Sequence, residues 1–285
     1  MSELLPFLIS GLGIGSVYAL SGVGLVVLYR ASGVLNFAFG ALGAIGAYVA
    51  WSVLDAGLPM GLAWAASIAT AMGLSLLYGW LIAPLLAVRD STIRSIGTLG
   101  LALLLMGFTE WFWGSNPRRL ILPSDAWGLD IGDVRFTGTR IISLVVAIAM
   151  MGAIALLLAR TRIGLKMRAL ANDRSLSAIL GIYVLRVDTV AWLLSGAFAG
   201  VCGLLLANIV RLQATLLTFL VIPAFAAAIL GRLSSLPATV VAGIVIGVIE
   251  ATAILIPGFA PFRTSVPFLL ALLAIIFFPN TQRLA

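Results

Sequence analysis

The sequence predicts an all-α fold, a polytopic transmembrane helical bundle of about eight or nine membrane segments. Three observations lead there. Hydrophobic residues fill 62% of the 285 positions and charged residues only 9%, against about 45–50% and 25% in soluble domains. Mean hydropathy over the whole length is +1.19. Apolar runs recur from Leu4 to Phe278, with most charges gathered between them.

A span needs about 20 apolar residues, because ~30 Å of hydrocarbon is crossed at 1.5 Å per residue. The candidate spans are 4–28, 34–54, 60–86, 95–114, 141–159, 189–210, 216–230, 237–256 and 265–279. Met1-Ser2-Glu3-Leu4 offers no basic n-region, so the first run reads as a retained span rather than a cleaved signal peptide. The runs 216–230 and 265–279 are short, which suits tilted, broken or re-entrant pieces covered by protein. A single membrane domain over 1–285 is expected, with an external loop at 115–140 and a cytoplasmic segment at 160–188.

Lysine and arginine set the orientation. The chain holds 17 basic and 10 acidic residues, and Arg160, Arg162, Lys166, Arg168, Arg174 and Arg186 form its densest basic cluster. Placing that cluster in the cytoplasm puts the N-terminus outside. Alternation then leaves 11 of the 17 basic residues inside, among them Arg30, Arg89, Arg94, Arg232 and Arg283. Of the six outside, Arg118, Arg119, Arg135 and Arg140 share a loop with Asp125, Asp130 and Asp133. The positive balance therefore reads as topology, not as a nucleic-acid surface.

Thirty glycines point to close helix packing, since small residues let backbones approach inside lipid. Gly11/Gly15, Gly196/Gly200 and Gly243/Gly247 repeat at four residues, and Gly40, Gly43 and Gly46 at three. Bundle packing or a dimer contact explains these; a mobile or substrate-lining helix is the other reading.

Several chemistries are excluded. There is no histidine, and Cys202 is the single cysteine, expected as a small packing residue, so disulfides and zinc–histidine sites are unavailable. The only lysine follows Leu165 and cannot complete a phosphate-binding loop. No metal site, cofactor site or catalytic residue is expected. Glu110 and Glu250 are the only carboxylates placed to lie within spans, each near an end, which gives an ion-coupled carrier little support.

Residues 161–181 are too polar to span. Leu165, Met167 and Leu170 interleave with Lys166, Arg168 and Arg174, and Asn172 or Asp173 could cap a second short helix containing Leu176, Ile179 and Leu180. An interfacial helix on anionic lipid is one reading. A docking helix for a soluble partner is the other.

Three blocks carry a family resemblance. Residues 35–48 (LNFAFGALGAIGAY) resemble an early L-N-F-A-H-G-A-L…G-A-Y signature. Thr161 through Tyr183 resembles a T-x-x-G…R-A…D…A-x-L-G-I block, and residues 226–237 (AAAILGRLSSLP) an A-x-I-L-G-G-x-G-S-x-P-G element. In this order they resemble the LivH-type permeases of branched-chain amino acid ATP-binding-cassette importers. Phe39 stands at the family's histidine, Arg232, Ser234 and Ala238 replace its small or glycine positions, and the P-x-G-L-F-G ending is missing.

The resemblance implies a non-catalytic permease of the inner membrane importing branched-chain or other hydrophobic amino acids. A second, non-identical permease would complete the path. Two ATPase subunits would bind the ATP and magnesium, and an external binding protein would deliver cargo. Gly164, Arg168, Ala171, Asp173 and Gly181 are the expected ATPase coupling residues. Ser16, Tyr18, Asn36, Phe37, Phe39 and Gly40 are the path candidates. For Asn36, a cap or interhelical hydrogen bond competes with substrate contact. The alternatives are a same-fold permease for urea or an amide, an organic acid or a sugar, and an ion-coupled secondary carrier.

Overall fold

The computed structural model describes residues 4–131, 134–256, 258 and 260–277. Residues 1–3, Asp133, Arg283 and the end of the last run at 278–279 lie outside the described residues.

The apolar runs fold as helices, as expected. In chain order they are α1 (Leu4–Ser32), α2 (Phe39–Asp55), α3 (Met60–Leu81), α4 (Ser91–Trp113), α5 (Gly138–Arg160), α6 (Arg162–Asn172), α7 (Arg174–Ile179), α8 (Val184–Ile209), α9 (Ala214–Phe219), α10 (Val221–Leu230), α11 (Leu236–Thr252) and α12 (Val266–Phe277). Six described helices are long and apolar enough to cross a membrane, and Phe39–Asp55 and Ala214–Leu230 add shorter apolar stretches. The run 216–230 is broken at Leu220. Pro223 explains the break, because it has no N–H to donate to the carbonyl of Phe219 and its ring would crowd that oxygen.

The sequence gives no sign of one feature. Within the expected external loop, β1 (Gly128–Ile131) and β2 (Val134–Thr137) form an antiparallel hairpin that pairs Gly128 with Thr137. The loop is pinned to the bundle by reciprocal backbone hydrogen bonds between Arg118 and Leu212, each 3.0 Å. The Asn208 side chain adds a bond to the Leu120 carbonyl at 2.9 Å.

α1 and α8 are the most enclosed spans, while α3, α4 and α5 leave most of their surface uncovered. Glycine builds this centre. A methyl at Gly247 would stand 2.3 Å from the Gly15 backbone, and one at Gly243 2.4 Å from Ala19, so both four-residue repeats of α1 and α11 pack against each other. Gly196 and Gly200 lie in the same way against Ala71 and Ile68 of α3, and Gly43 against Gly203 of α8. The glycines therefore serve contacts within the chain.

The connector between α1 and α2 is partly buried and needs partners for its backbone, since buried N–H and C=O groups must be hydrogen-bonded. The first turns of α4 supply them. Ser95 Oγ accepts from Leu35 N–H at 3.1 Å, and Thr98 Oγ1 accepts from Phe37 N–H at 3.0 Å. Arg94 donates to the Ser32 carbonyl at 3.0 Å. This is why α4 starts at Ser91, four residues before the expected span.

Candidate functional site

Basic residues of two separate helices meet at one end of the bundle. Arg94 of α4 and Arg174 of α7 both reach the C-terminal end of α1, where Arg174 donates to the Ala31 carbonyl at 2.8 Å. Arg174 also forms an ion pair with Asp188 of α8, with one contact at 3.2 Å and a second, shorter one to Oδ2. One guanidinium thus ties the short helix α7 to the ends of both central spans. Opposite-charge pairing with bidentate geometry makes this a directional link. Sequence reasoning missed Arg174, because its partners become neighbours only once the chain has turned at Gly181.

The expected coupling residues sit around this link. The two-helix reading of the segment holds. α6 buries Gly164, Met167 and Leu170, spaced three residues apart on one face, and exposes Leu165. A methyl at Gly164 would stand 2.5 Å from both the Leu157 carbonyl oxygen and Leu158 Cα, so only glycine lets α6 fold back on α5. Arg168 and Ala171 are exposed.

Asp173, expected as a charged contact or a cap, is the N-cap of α7. Its Oδ1 accepts from Leu176 N–H at 2.9 Å and from the Ser175 hydroxyl at 2.7 Å. These bonds, the first above all, hold its carboxyl below the ordinary aspartate range. The cap is therefore charged at neutral pH, and its contribution is lost only as pH falls through that lowered value. Gly181 ends α7 at φ +84°, a left-handed conformation that favours glycine.

On α7 and just after it the segment presents exposed apolar residues. Ile179 is 82% exposed and Leu180 73%, with Leu176 and Tyr183 beside them in sequence and also exposed. An exposed apolar group on so basic a segment suits a protein partner or an anionic membrane surface.

Of the path candidates, Ser16, Tyr18, Asn36 and Phe39 are buried inside the single chain, and Phe37 and Gly40 are half-buried. Ser16 donates to the Gly13 carbonyl at 2.8 Å. Tyr18 donates to Glu250 Oε2 across the α1–α11 contact at 3.0 Å. Asn36, 1% exposed, donates to Ser195 Oγ of α8 at 3.4 Å and accepts from Ala38 N–H at 3.1 Å. Phe37 packs its ring on Phe225, with centroids 4.8 Å apart. Phe39 lies against Gly24, and Gly40 against the Thr218 carbonyl of α9.

The six do not converge on one cleft: Tyr18 is held by α11, Asn36 by α8 and Gly40 by α9. The gap beside Phe39, Gly40 and Cys202 holds about 10 Å³, room for one water at most. Cys202 is buried, as expected of a packing residue.

Comparison with known proteins agrees with this architecture. A family model described as "Branched-chain amino acid transport system / permease component" matches residues 7–277. The high-affinity branched-chain amino acid transport system permease protein LivH of Escherichia coli K12 is 30% identical over 258 residues, covering 85% of this chain and 83% of that protein. BraD of Pseudomonas aeruginosa, a permease protein of the same description, is 28% identical over 291 residues, covering 96% and 93%. A solved ABC transporter chain in an inward-facing conformation aligns over 96% of this chain and 83% of its own, at 17% identity and a TM-score of 0.49, too slight a likeness to carry weight.

Proposed function

The chain belongs to the family of permease components of branched-chain amino acid transport systems, and from that membership we propose that it forms the membrane path of an ATP-driven importer for branched-chain or other hydrophobic amino acids. One observation carries the reading furthest. A family match over residues 7–277 coincides with an exposed two-helix segment whose Arg174 is bonded to both central spans.

The coupling works as follows. An ATPase subunit docks on the apolar residues of α7 and on Arg168, and its ATP-driven closure displaces the segment. Gly164 and Gly181 keep the two turns tight, Asp173 holds α7 helical, and Ala171 offers a flat contact. Arg174 passes the displacement to the Ala31 carbonyl and to Asp188, so α1 and α8 move together. Tyr18 travels with α1, and Asn36 with α8 through Ser195.

The path itself opens between this chain and a second, non-identical permease, with Ser16, Tyr18, Asn36, Phe37, Phe39 and Gly40 as its contribution. Phe39 makes its part of that route apolar, which suits an aliphatic side chain as cargo. An external binding protein delivers substrate. Two ATPase subunits bind ATP and magnesium, and this chain hydrolyses nothing. The N-terminus lies outside the inner membrane, and residues 160–188 lie in the cytoplasm.

Proteoliposomes holding the complete complex test the reading. Leucine uptake that requires both ATP and the ATPase supports it. Ion-driven uptake by this chain alone contradicts it, and strong selectivity for a sugar contradicts the cargo assignment.

A further inference from the structure

Between the end of α3, the start of α4 and the start of α8, at the arginine-rich end, lies a cavity of about 630 Å³. Of the residues given a path or coupling role above, only Arg174 and its partner Asp188 line it. Its lining holds three arginines, Arg94, Arg174 and Arg186, and a single carboxylate, Asp188, which Arg174 already occupies. Three aromatic residues, Tyr78, Trp80 and Trp192, line it as well.

Two polar atoms at this cavity are buried without a partner, the Tyr78 hydroxyl and Arg94 Nε. Tyr78 is only 3% exposed, so its idle hydroxyl is an exception among buried polar groups, which nearly always find partners. α8 begins at the same place, and Tyr183 supplies no side-chain cap to its N-terminus. The positive end of that helix therefore adds to the arginines. Arg186 lies over the Tyr183 ring at 5.3 Å and is exposed.

At the outer rim the surface is apolar. Trp80, Leu85 and Val88, on α3 and the turn after it, are among the most exposed large hydrophobic residues of the chain. Tryptophan is enriched where a membrane's hydrocarbon meets its headgroups.

We propose that this cavity is a binding site for an anionic phospholipid, its phosphate held by Arg94 and Arg186 and its acyl chains lying over Trp80 and the adjoining apolar rim. Arginine pairs with phosphate through short, charge-assisted hydrogen bonds, and basic pockets between spans take up anionic headgroups. A free phosphate ion would fill a small part of the cavity and leave the aromatic lining without contact. The site lies beside the link from α7 to α1 and α8, since Arg174 and Asp188 belong to both. A bound lipid therefore braces the spans that the ATPase moves.

Native mass spectrometry of the complete importer, released from detergent with added lipid, tests the site. Phosphatidylglycerol is retained in preference to phosphatidylcholine, and millimolar inorganic phosphate does not displace it. Arg186→Gln changes an exposed side chain and lowers phosphatidylglycerol retention by about five-fold, the loss expected for one arginine near an anionic surface. Equal retention of the two lipids overturns the proposal without any variant. Displacement by inorganic phosphate assigns the cavity to a free anion and overturns the lipid. Unchanged retention in Arg186→Gln places the bound lipid elsewhere and overturns the proposal.

Discussion

Asn36 engages both ends of its amide inside the bundle, bonding Ser195 on one side and the Ala38 backbone on the other. Asn36→Ala leaves two buried polar groups unpaired, which costs about 1–3 kcal/mol. A lowered thermal midpoint of the purified complex measures it, and an unchanged midpoint means that water or a moving helix already supplies those bonds. Arg168 is exposed and carries no fold, so Arg168→Glu leaves the thermal midpoint in place while ATP hydrolysis proceeds without uptake. Unchanged uptake removes Arg168 from the coupling contact. Arg174→Gln cuts the link to Ala31 and Asp188, so both coupling and stability fall.

The residue scale is also where the sequence was least legible. Asp173 could be foreseen as a cap because its partners lie two and three residues on. The partners of Arg174 lie fourteen residues ahead and 143 behind, a distance that only the folded bundle closes.

The helices themselves were written plainly in the apolar runs, since a span that must satisfy its own backbone in lipid leaves few alternatives. Their contacts were half legible. Glycine every fourth residue announced close approach, but nothing in the spacing said that α1 and α11 were partners. Gly247→Val tests the pair: its side chain meets the Gly15 backbone, and overpacking of this kind costs about 1–3 kcal/mol. Gly152, with open space around its missing side chain, serves as the control, and Gly152→Val leaves the midpoint unmoved. If both variants unfold alike, the α1–α11 contact is not what the glycines serve. The hairpin of β1 and β2 went unread because four-residue strands leave a weak pattern and an isolated pair is marginal without its neighbours. The break at Leu220 was foreseen as one possible form of a short run, and Pro223 gives its cause.

For the molecule as a whole, composition fixed a multi-pass membrane protein, and the three ordered blocks pointed to a permease subunit of an ABC importer, to which the family match agrees. What a single chain withholds is the route of the cargo, because four of the six path candidates are closed by helices of the same chain and the six share no cleft. A path shared with a second permease has its other wall outside this sequence.

The coupling account depends on which side of the membrane α7 faces, and one labelling experiment reads this directly. Cys202 is replaced by serine, Ile179 by cysteine, and intact cells are treated with a maleimide that cannot cross lipid. The exposed position at 179 stays unlabelled until the cells are permeabilised, and the assembled complex with its ATPase protects it even then. Labelling in intact cells puts α7 outside, where no ATPase can reach it, and contradicts the proposed machine.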